Sequence, residues 1–282
     1  MIGNSEKASL AGVVDRAAKL IRAAGRTLYS DAVTAKLAGL KTNACPDAAT
    51  LARSVDLLLV FGGDGTMLRV AREIAGSRTP ILGINIGGLG FLTAVPSAEL
   101  PRALKSVWTG AFRFESRALI QATGQCSGRA VAHSAFNDIV ISRGIASRLI
   151  ELSVRVDGEP LTRYRCDGLI VNSPTGSTAY ALAAGGAVVF PTAAVLALTP
   201  ICPHTLSNRS LIVPLTSTIE VTVNSPKPAT ILSADGQVVC ELSTGDVITI
   251  RRSRRVVRLM HLAGGSFCET LRRKLHWRGA TV

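Results

Sequence analysis

The chain has 282 residues, 47% of them hydrophobic and 18% charged, with a formal net charge of +13. That balance excludes a disordered chain and leaves room for a large core in one or two domains. The charge is uneven: residues 1–115 carry 14 basic and 9 acidic side chains, residues 116–250 carry 9 of each, and residues 251–282 carry 9 basic and 1 acidic. A basic surface attracts nucleic acid, anionic lipid or a small phosphorylated substrate alike, and composition does not choose among them.

In chain order, Leu10, Val13, Val14, Ala17, Ala18 and Ile21 recur near a 3.6-residue period, which predicts a helix over 7–24 closed by Gly25. Glu6, Lys7, Asp15 and Arg16 stand where a secretory signal needs an apolar run, which argues against secretion by that route. Residues 55–61 read as an apolar strand running into Gly62, with a helix over 64–75 and a second strand over 80–84. Ser97 is placed to cap a further helix reaching Thr109. Alternating strand and helix imply a parallel, Rossmann-like α/β domain over 1–112, with function at the C-terminal strand ends.

Past residue 112 the pattern changes to strands, read over 113–123, 130–141, 149–156, 161–165, 169–172, 210–213, 218–223, 229–232 and 247–250, with a hairpin turn at Asp157-Gly158. This predicts a mainly antiparallel β domain over 113–255. A terminal helix is expected over 266–275, in a segment 256–282 that returns to the N-terminal domain. Residues 168–208 contain no Asp, Glu or Lys and no Arg, yet Pro174, Gly176, Gly185, Gly186, Pro191, Pro200 and Pro203 break the run. Short buried elements explain it better than a membrane span. Cys45, Cys126, Cys166, Cys202, Cys240 and Cys268 form no Cys-x-x-Cys pair, so zinc is not indicated and buried free thiols are expected.

Three constellations carry chemistry. The first is Gly62-Gly63-Asp64-Gly65-Thr66, between a strand and a helix. Glycines there let backbone N–H groups approach a phosphate, and the helix N-terminus adds partial positive charge. A carboxylate in that loop repels phosphate unless it acts on a hydroxyl or a metal; the alternative is a capping Asp in a tight turn. The second is the glycine-rich loop from Gly83 through Asn85, Gly87, Gly88 and Gly90 to Phe91. The third runs from Asp167-Gly168 through Asn172-Ser173-Pro174-Thr175-Gly176-Ser177-Thr178-Ala179-Tyr180, where an apolar strand ends in small hydroxyl and glycine residues. Hydroxyls at a helix start hold phosphate or adenine edges, or merely cap the helix. Asn137-Asp138 places two adjacent polar residues inside an apolar strand, so one of them faces the interior or a site.

Together these segments resemble the bacterial NAD kinase family from about residue 55 to the C-terminus, with Pro203-His204-Thr205-Leu206-Ser207 and Asp235-Gly236-Gln237 as further similar segments. The resemblance implies ATP-dependent phosphorylation of the 2′-hydroxyl of the adenosine ribose of NAD, giving NADP, with a divalent metal such as Mg²⁺. It makes Asp64 the catalytic base, and Gly62, Gly63, Gly65 and Thr66 the cradle of the ATP phosphates. It places Asp64, Gly65, Arg69, Asn137, Asp138, Arg148, Arg165, Asp167, Thr175, Thr178, Ala179, Tyr180, Ala181, Leu182, Ala183 and Gln237 along the bound NAD. Arg69 also reads as part of a solvated helix face. No protein ligand to the metal is assigned. A cytoplasmic homo-oligomer, a dimer or tetramer, is implied, with no nucleic acid or membrane partner.

The chain departs from the family pattern in two places. Asp138 stands where Glu is often seen, one methylene longer. Gly3-Asn4-Ser5 resembles the turn that follows the family's first strand, yet only Met1-Ile2 precede it. The first strand therefore reads as missing, and the expectation is a true start upstream of this Met1. The competing readings are another kinase with this glycine loop, acting on lipid or sugar, and a non-catalytic dinucleotide-binding homologue.

Overall fold

The computed structural model describes residues 1–7, 9–93, 95–144, 148–205, 208–225 and 230–277. Ala8, Leu206, Ser207, Ala229 and Arg278, which enter the sequence readings above, lie outside the described residues. The chain divides into two compact units, one of Met1–Ser116 with Val257–Val282 and the other of Arg117–Val256.

The first unit opens with β1 (Ile2–Gly3), α1 (Leu10–Ala23), β2 (Tyr29–Asp31), α2 (Ala32–Leu37), β3 (Asn43–Cys45) and α3 (Ala48–Ser54). Then come β4 (Leu58–Gly62), α4 (Asp64–Glu73), β5 (Ile81–Asn85), β6 (Val95–Pro96) and α5 (Leu100–Trp108). β1, β4, β5 and β6 pair in parallel, with Ile2 opposite Val60, Val60 opposite Gly83 and Ile84 opposite Val95. Every residue of β4 and β5 is buried, as parallel strands covered on both faces require. Leu10, Val14, Ala17 and Ala18 of α1 and Leu100, Ala103 and Leu104 of α5 form one core with Leu59, Phe61, Leu82 and Ile84.

Some expectations shift here. The first strand is present over two residues, Ile2–Gly3, rather than absent. Gly25 does close α1, at φ +68. Ser97 does not cap α5: Ser97–Glu99 form a 3-10 turn ahead of it, with no side-chain cap bond.

The second unit is built from β7 (Phe112–Cys126), which begins in the first unit, β8 (Arg129–Ala135), β9 (Asp138–Arg143), β10 (Ile150–Val156), β11 (Glu159–Cys166) and β12 (Gly168–Asn172). A 3-10 turn (Thr175–Thr178), α6 (Tyr180–Ala183), β13 (Val195–Ile201), β14 (Leu211–Pro214), β15 (Ile219–Val223), β16 (Thr230–Ala234), β17 (Gln237–Leu242) and β18 (Val247–Leu262) follow. Six strands form an antiparallel sheet in the order β14-β13-β12-β9-β16-β17. β11, β10, β15 and the first part of β18 pair antiparallel in that order. Ile139, Ile141, Leu169, Val171, Leu196 and Leu198 share a core with Leu152, Val154, Ile219 and Val221. Asp157 (φ 52) and Gly158 (φ 84) both take the left-handed conformation of a two-residue hairpin turn, as the sequence predicts. The end of β18 lies in the first unit, where Leu259 pairs in parallel with Ile81, and α7 (Phe267–Lys274) follows it.

Three readings need correction. Residues 130–141 are not one strand: β8 and β9 are separated by Phe136 and Asn137. β18 runs for 16 residues instead of four, and β13 and β17 were not foreseen. The cysteines are not all buried free thiols: Cys126 and Cys240 form a disulfide with Cα atoms 6.4 Å apart, and Cys202 and Cys268 are exposed. Among the described residues, no helix is long and apolar enough to cross a membrane.

Candidate active site

In the first unit β4 ends at Gly62, and α4 begins at Asp64 with Gly63 as its cap. Gly62 has no room for a side chain, because an added Cβ would lie 2.3 Å from Thr66 Oγ1. At Gly63 and Gly65 an added Cβ meets nothing within 4 Å, so the start of α4 is sterically open on that side. A ten-residue helix presents unpaired N–H groups and partial positive charge there, which favours a phosphate.

The Asp64 carboxylate faces the glycine-rich loop that follows β5. Oδ2 accepts the Phe91 N–H at 2.8 Å; Oδ1 accepts the Leu92 N–H at 2.9 Å, the Thr93 N–H at 3.3 Å and the Thr93 hydroxyl at 3.4 Å. Asn85 shapes the same loop, donating to Gly88 O at 2.8 Å and Thr93 Oγ1 at 2.9 Å while accepting from Gly87 N–H at 2.7 Å. Gly90 is glycine for a steric reason, since an added Cβ would lie 2.3 Å from Asp64 Oδ1 and 2.3 Å from Thr93 Oγ1. Phe91 is flanked by Phe267 of α7, ring centroids 6.2 Å apart, and by Lys274 Nζ, 4.5 Å above its ring. A capping Asp bonds its own helix; this one bonds a different loop. Arg69 lies on the exposed face of α4 and pairs with Glu73 at 3.1 Å.

In the second unit the gap between β8 and β9 presents Asn137 and Asp138. Asp138 is 4% exposed, and burial, then the negative charge of Asp235, pushes its carboxyl up to about 7. Its proton is therefore lost near neutral pH rather than near pH 4. Asn137 Oδ1 is buried without a partner, and so is Oδ1 of Asn172, which stands opposite Asp138 on β12. Buried oxygens with unused lone pairs are costly, and a ligand hydroxyl or amine satisfies them.

The segment after β12 packs against the same gap. Ser173 Oγ donates to Phe136 O at 2.6 Å, Ser173 N–H donates to Asn137 O at 2.8 Å, and an added Cβ on Gly176 would lie 2.2 Å from Asn137 O. Ser177 Oγ accepts the Val189 N–H at 3.0 Å, and Thr175 Oγ1 accepts from Arg117 at 3.0 Å. Arg117 is 7% exposed, and the sequence reading missed it: one arginine in a long strand carries no sign of burial. Thr178 and Ala179 close the turn onto Thr175 and Gly176, Ala181 is buried, Leu182 and Ala183 are progressively more exposed, and Tyr180 is 48% exposed.

The remaining residues are placed less centrally. Asp167 is paired with Arg143 at 2.7 Å. Arg165 on β11 is exposed, with its carbonyl accepting from His204 N–H at 2.9 Å; Arg148 and Gln237 are exposed. Asp235, which the sequence marks only as part of a similar segment, accepts the N–H groups of Phe136, Asn137 and Asp138 with its carboxylate.

Comparison with known proteins gives the family and the fold. Residues 17–112 match the ATP-NAD kinase N-terminal domain and residues 136–262 the ATP-NAD kinase C-terminal domain. An NAD kinase from Moorella thermoacetica is 46% identical over 239 residues, 84% of this chain and 77% of that protein. One from Ralstonia nicotianae is 38% identical over 278 residues, 98% of this chain and 92% of its own length. Among solved structures, yeast NADH kinase complexed with NADH superposes with a TM-score of 0.90 at 25% identity, covering 100% of this chain and 88% of that one. An NAD kinase from Archaeoglobus fulgidus in complex with ATP gives 0.77 at 25% identity, covering 99% and 98%. Glycine loop, carboxylate and matches together define a kinase. The chain belongs to the ATP-NAD kinase family.

Proposed function

We propose that this chain transfers the γ-phosphoryl group of ATP to the 2′-hydroxyl of the adenosine ribose of NAD, releasing ADP and NADP. The observation that carries this reading is Asp64: a carboxylate at the open N-terminus of α4, flanked by glycines and oriented by the loop amides of Phe91 and Leu92. In the reaction the 2′-oxygen attacks the γ-phosphorus, the bond to the β–γ bridging oxygen breaks, and the hydroxyl proton passes to an Asp64 oxygen. N–H groups at the start of α4, around Gly63, Gly65 and Thr66, bind phosphate oxygens.

Asn137 and Asp138 hold the adenosine part of NAD, Asp138 through its buried carboxyl and Asn137 through the lone pairs its buried oxygen leaves free. Thr175, Thr178, Ala179, Tyr180, Ala181, Leu182 and Ala183 form the contact strip for it, joined by the exposed Arg148, Arg165 and Gln237 and by the half-buried Asp167. Arg69, one helical turn past the loop and paired with Glu73 on the exposed face of α4, can serve a phosphate as well as the solvated face.

Among the described residues no group of three or more His, Cys, Asp or Glu forms a metal cage. A Mg²⁺ ion carried by the ATP phosphates would supply charge neutralisation on the transferred group. The family resemblance also supports a cytoplasmic homo-oligomer.

The test is direct: purified protein with ATP, Mg²⁺ and NAD forms NADP, read by a coupled NADP-specific dehydrogenase. A folded sample that forms none defeats the reading.

A further inference from the structure

Asp235 occupies the turn between β16 and β17 with φ 47, followed by Gly236 at φ 75. A hairpin turn of this kind needs residues that tolerate the left-handed region, and Asn or Gly serves as well as Asp. The turn therefore accounts for the backbone but not for the carboxylate. Oδ2 accepts the Phe136 N–H at 2.9 Å, and Oδ1 accepts the N–H of Asn137 at 2.7 Å and of Asp138 at 3.2 Å. Asp235 N–H in turn donates to Asp138 O at 3.0 Å.

Three successive amides converge on one carboxylate. This happens where β8 stops and β9 starts, so the amides of Phe136 and Asn137 belong to no strand. The carbonyl side of the same segment is held by Ser173, through Phe136 O and Asn137 O. The segment is thus clamped from both sides. Ser173 belongs to a motif visible in the sequence; Asp235 comes from 97 to 99 positions away.

We infer that Asp235 is a positioning residue for NAD: its carboxylate fixes the strand break that presents Asn137 and Asp138 to the adenosine. The inference rests on the reading that Asn137 and Asp138 hold that adenosine. Asp235 itself does not touch the reacting atoms. Its loss lets the 136–138 segment relax, weakening the grip on NAD while leaving the ATP phosphates and the Asp64 chemistry as they were. The signature is therefore a split between KM and kcat.

The experiment measures kcat, KM for NAD and KM for ATP in the full chain for Asp235→Ala, Asp235→Asn, Asn137→Ala and Asp138→Ala, with thermal melting as the check on folding. Asp235→Asn keeps Oδ1 for Asn137 and Asp138 but sets an amide NH₂ against the Phe136 N–H, so it restores part of the clamp. The expected result for Asp235→Ala is a rise in KM for NAD of about tenfold or more, with kcat and KM for ATP within about threefold. Asp235→Asn falls between it and the parent. If the alanine variant does not fold, the asparagine variant decides alone, with an expected rise of about threefold to tenfold.

A folded Asp235 variant with KM for NAD within about twofold of the parent overturns the inference, as does a fall in kcat alone or an equal rise in both KM values. Should Asn137→Ala and Asp138→Ala also leave KM for NAD unchanged, the adenosine reading itself has failed. If those two raise it and Asp235→Ala does not, only the positioning role has failed.

Discussion

The backbone N–H of Phe91 donates to the Asp64 carboxylate at 2.8 Å, joining two glycine-rich loops that lie 27 positions apart. Leu92 and Thr93 add to the same contact. The proposed base is therefore oriented by main-chain donors before any substrate arrives, and such preorganisation lowers the cost of reaching the reactive geometry.

Asp64→Asn removes the proton acceptor while nearly preserving shape. NADP formation is expected to fall about 10²–10⁴-fold, the range for losing a general base. NAD affinity, measured by calorimetry, stays within about threefold because the contact strip around Thr175 and Tyr180 is untouched. Unchanged turnover takes the role away from Asp64.

Gly90→Ala tests the loop itself. The new methyl group would meet Asp64 Oδ1 and Thr93 Oγ1 at 2.3 Å, too close for any rotamer of the added carbon to relieve. The carboxylate or the loop must move, and misplacement by about 1 Å is enough to cost about 10²-fold in rate. The expected variant is folded by circular dichroism and slow in the NADP assay. Full activity shows that the contact does not matter for turnover.

Gly176→Ala is expected to act on stability as well as on NAD binding. Its Cβ would lie 2.2 Å from Asn137 O and 2.5 Å from Asn137 C, and both are backbone atoms that cannot swing away. A loss of about 1–3 kcal/mol is expected from such overpacking, read as a lower urea midpoint at constant slope.

Asp138 makes stability depend on pH in an unusual direction for an aspartate. Its carboxyl is raised from 3.8 to about 7 in the folded chain, by burial first and the Asp235 charge second. Between those values the folded state binds the proton and the unfolded state does not, so this group's contribution falls as pH rises from about 4 to 7 and is flat outside that window. Its size is on the order of a few kcal/mol. Asp138→Asn should remove this component, so that urea unfolding at a series of pH values shows the variant gaining on the parent toward pH 7. A constant difference across that range assigns the proton elsewhere.

What the sequence made legible was local. The Asp64 loop could be read because a glycine pair between an apolar strand and a helix is contiguous, and the Asp157-Gly158 turn because its two residues carry the conformation themselves. The break at Phe136–Asn137 was not legible, since apolar residues continue on both sides and the carboxylate that stabilises it lies at Asp235. The disulfide was hidden for the same reason: Cys126 and Cys240 are 114 positions apart, with nothing in their spacing to pair them. β18 was underestimated because Arg251, Arg252, Arg254 and Arg255 interrupt its apolar pattern, although all four are exposed and leave the strand pairing intact.

The division of the chain also has a consequence for its synthesis. Residues 117–256 form one uninterrupted stretch, whereas the first unit needs Val257–Val282 to be complete. At roughly 5–20 residues per second, the ribosome presents β4, β5 and the Asp64 loop early. The strand that carries Leu259 against Ile81, and the helix that sets Phe267 and Lys274 against Phe91, emerge only after residues 117–256. The part of the protein proposed to do the chemistry is begun before the second unit and completed after it, so a nascent chain stalled between Val256 and Phe267 carries the loop sequence without the contacts that brace it.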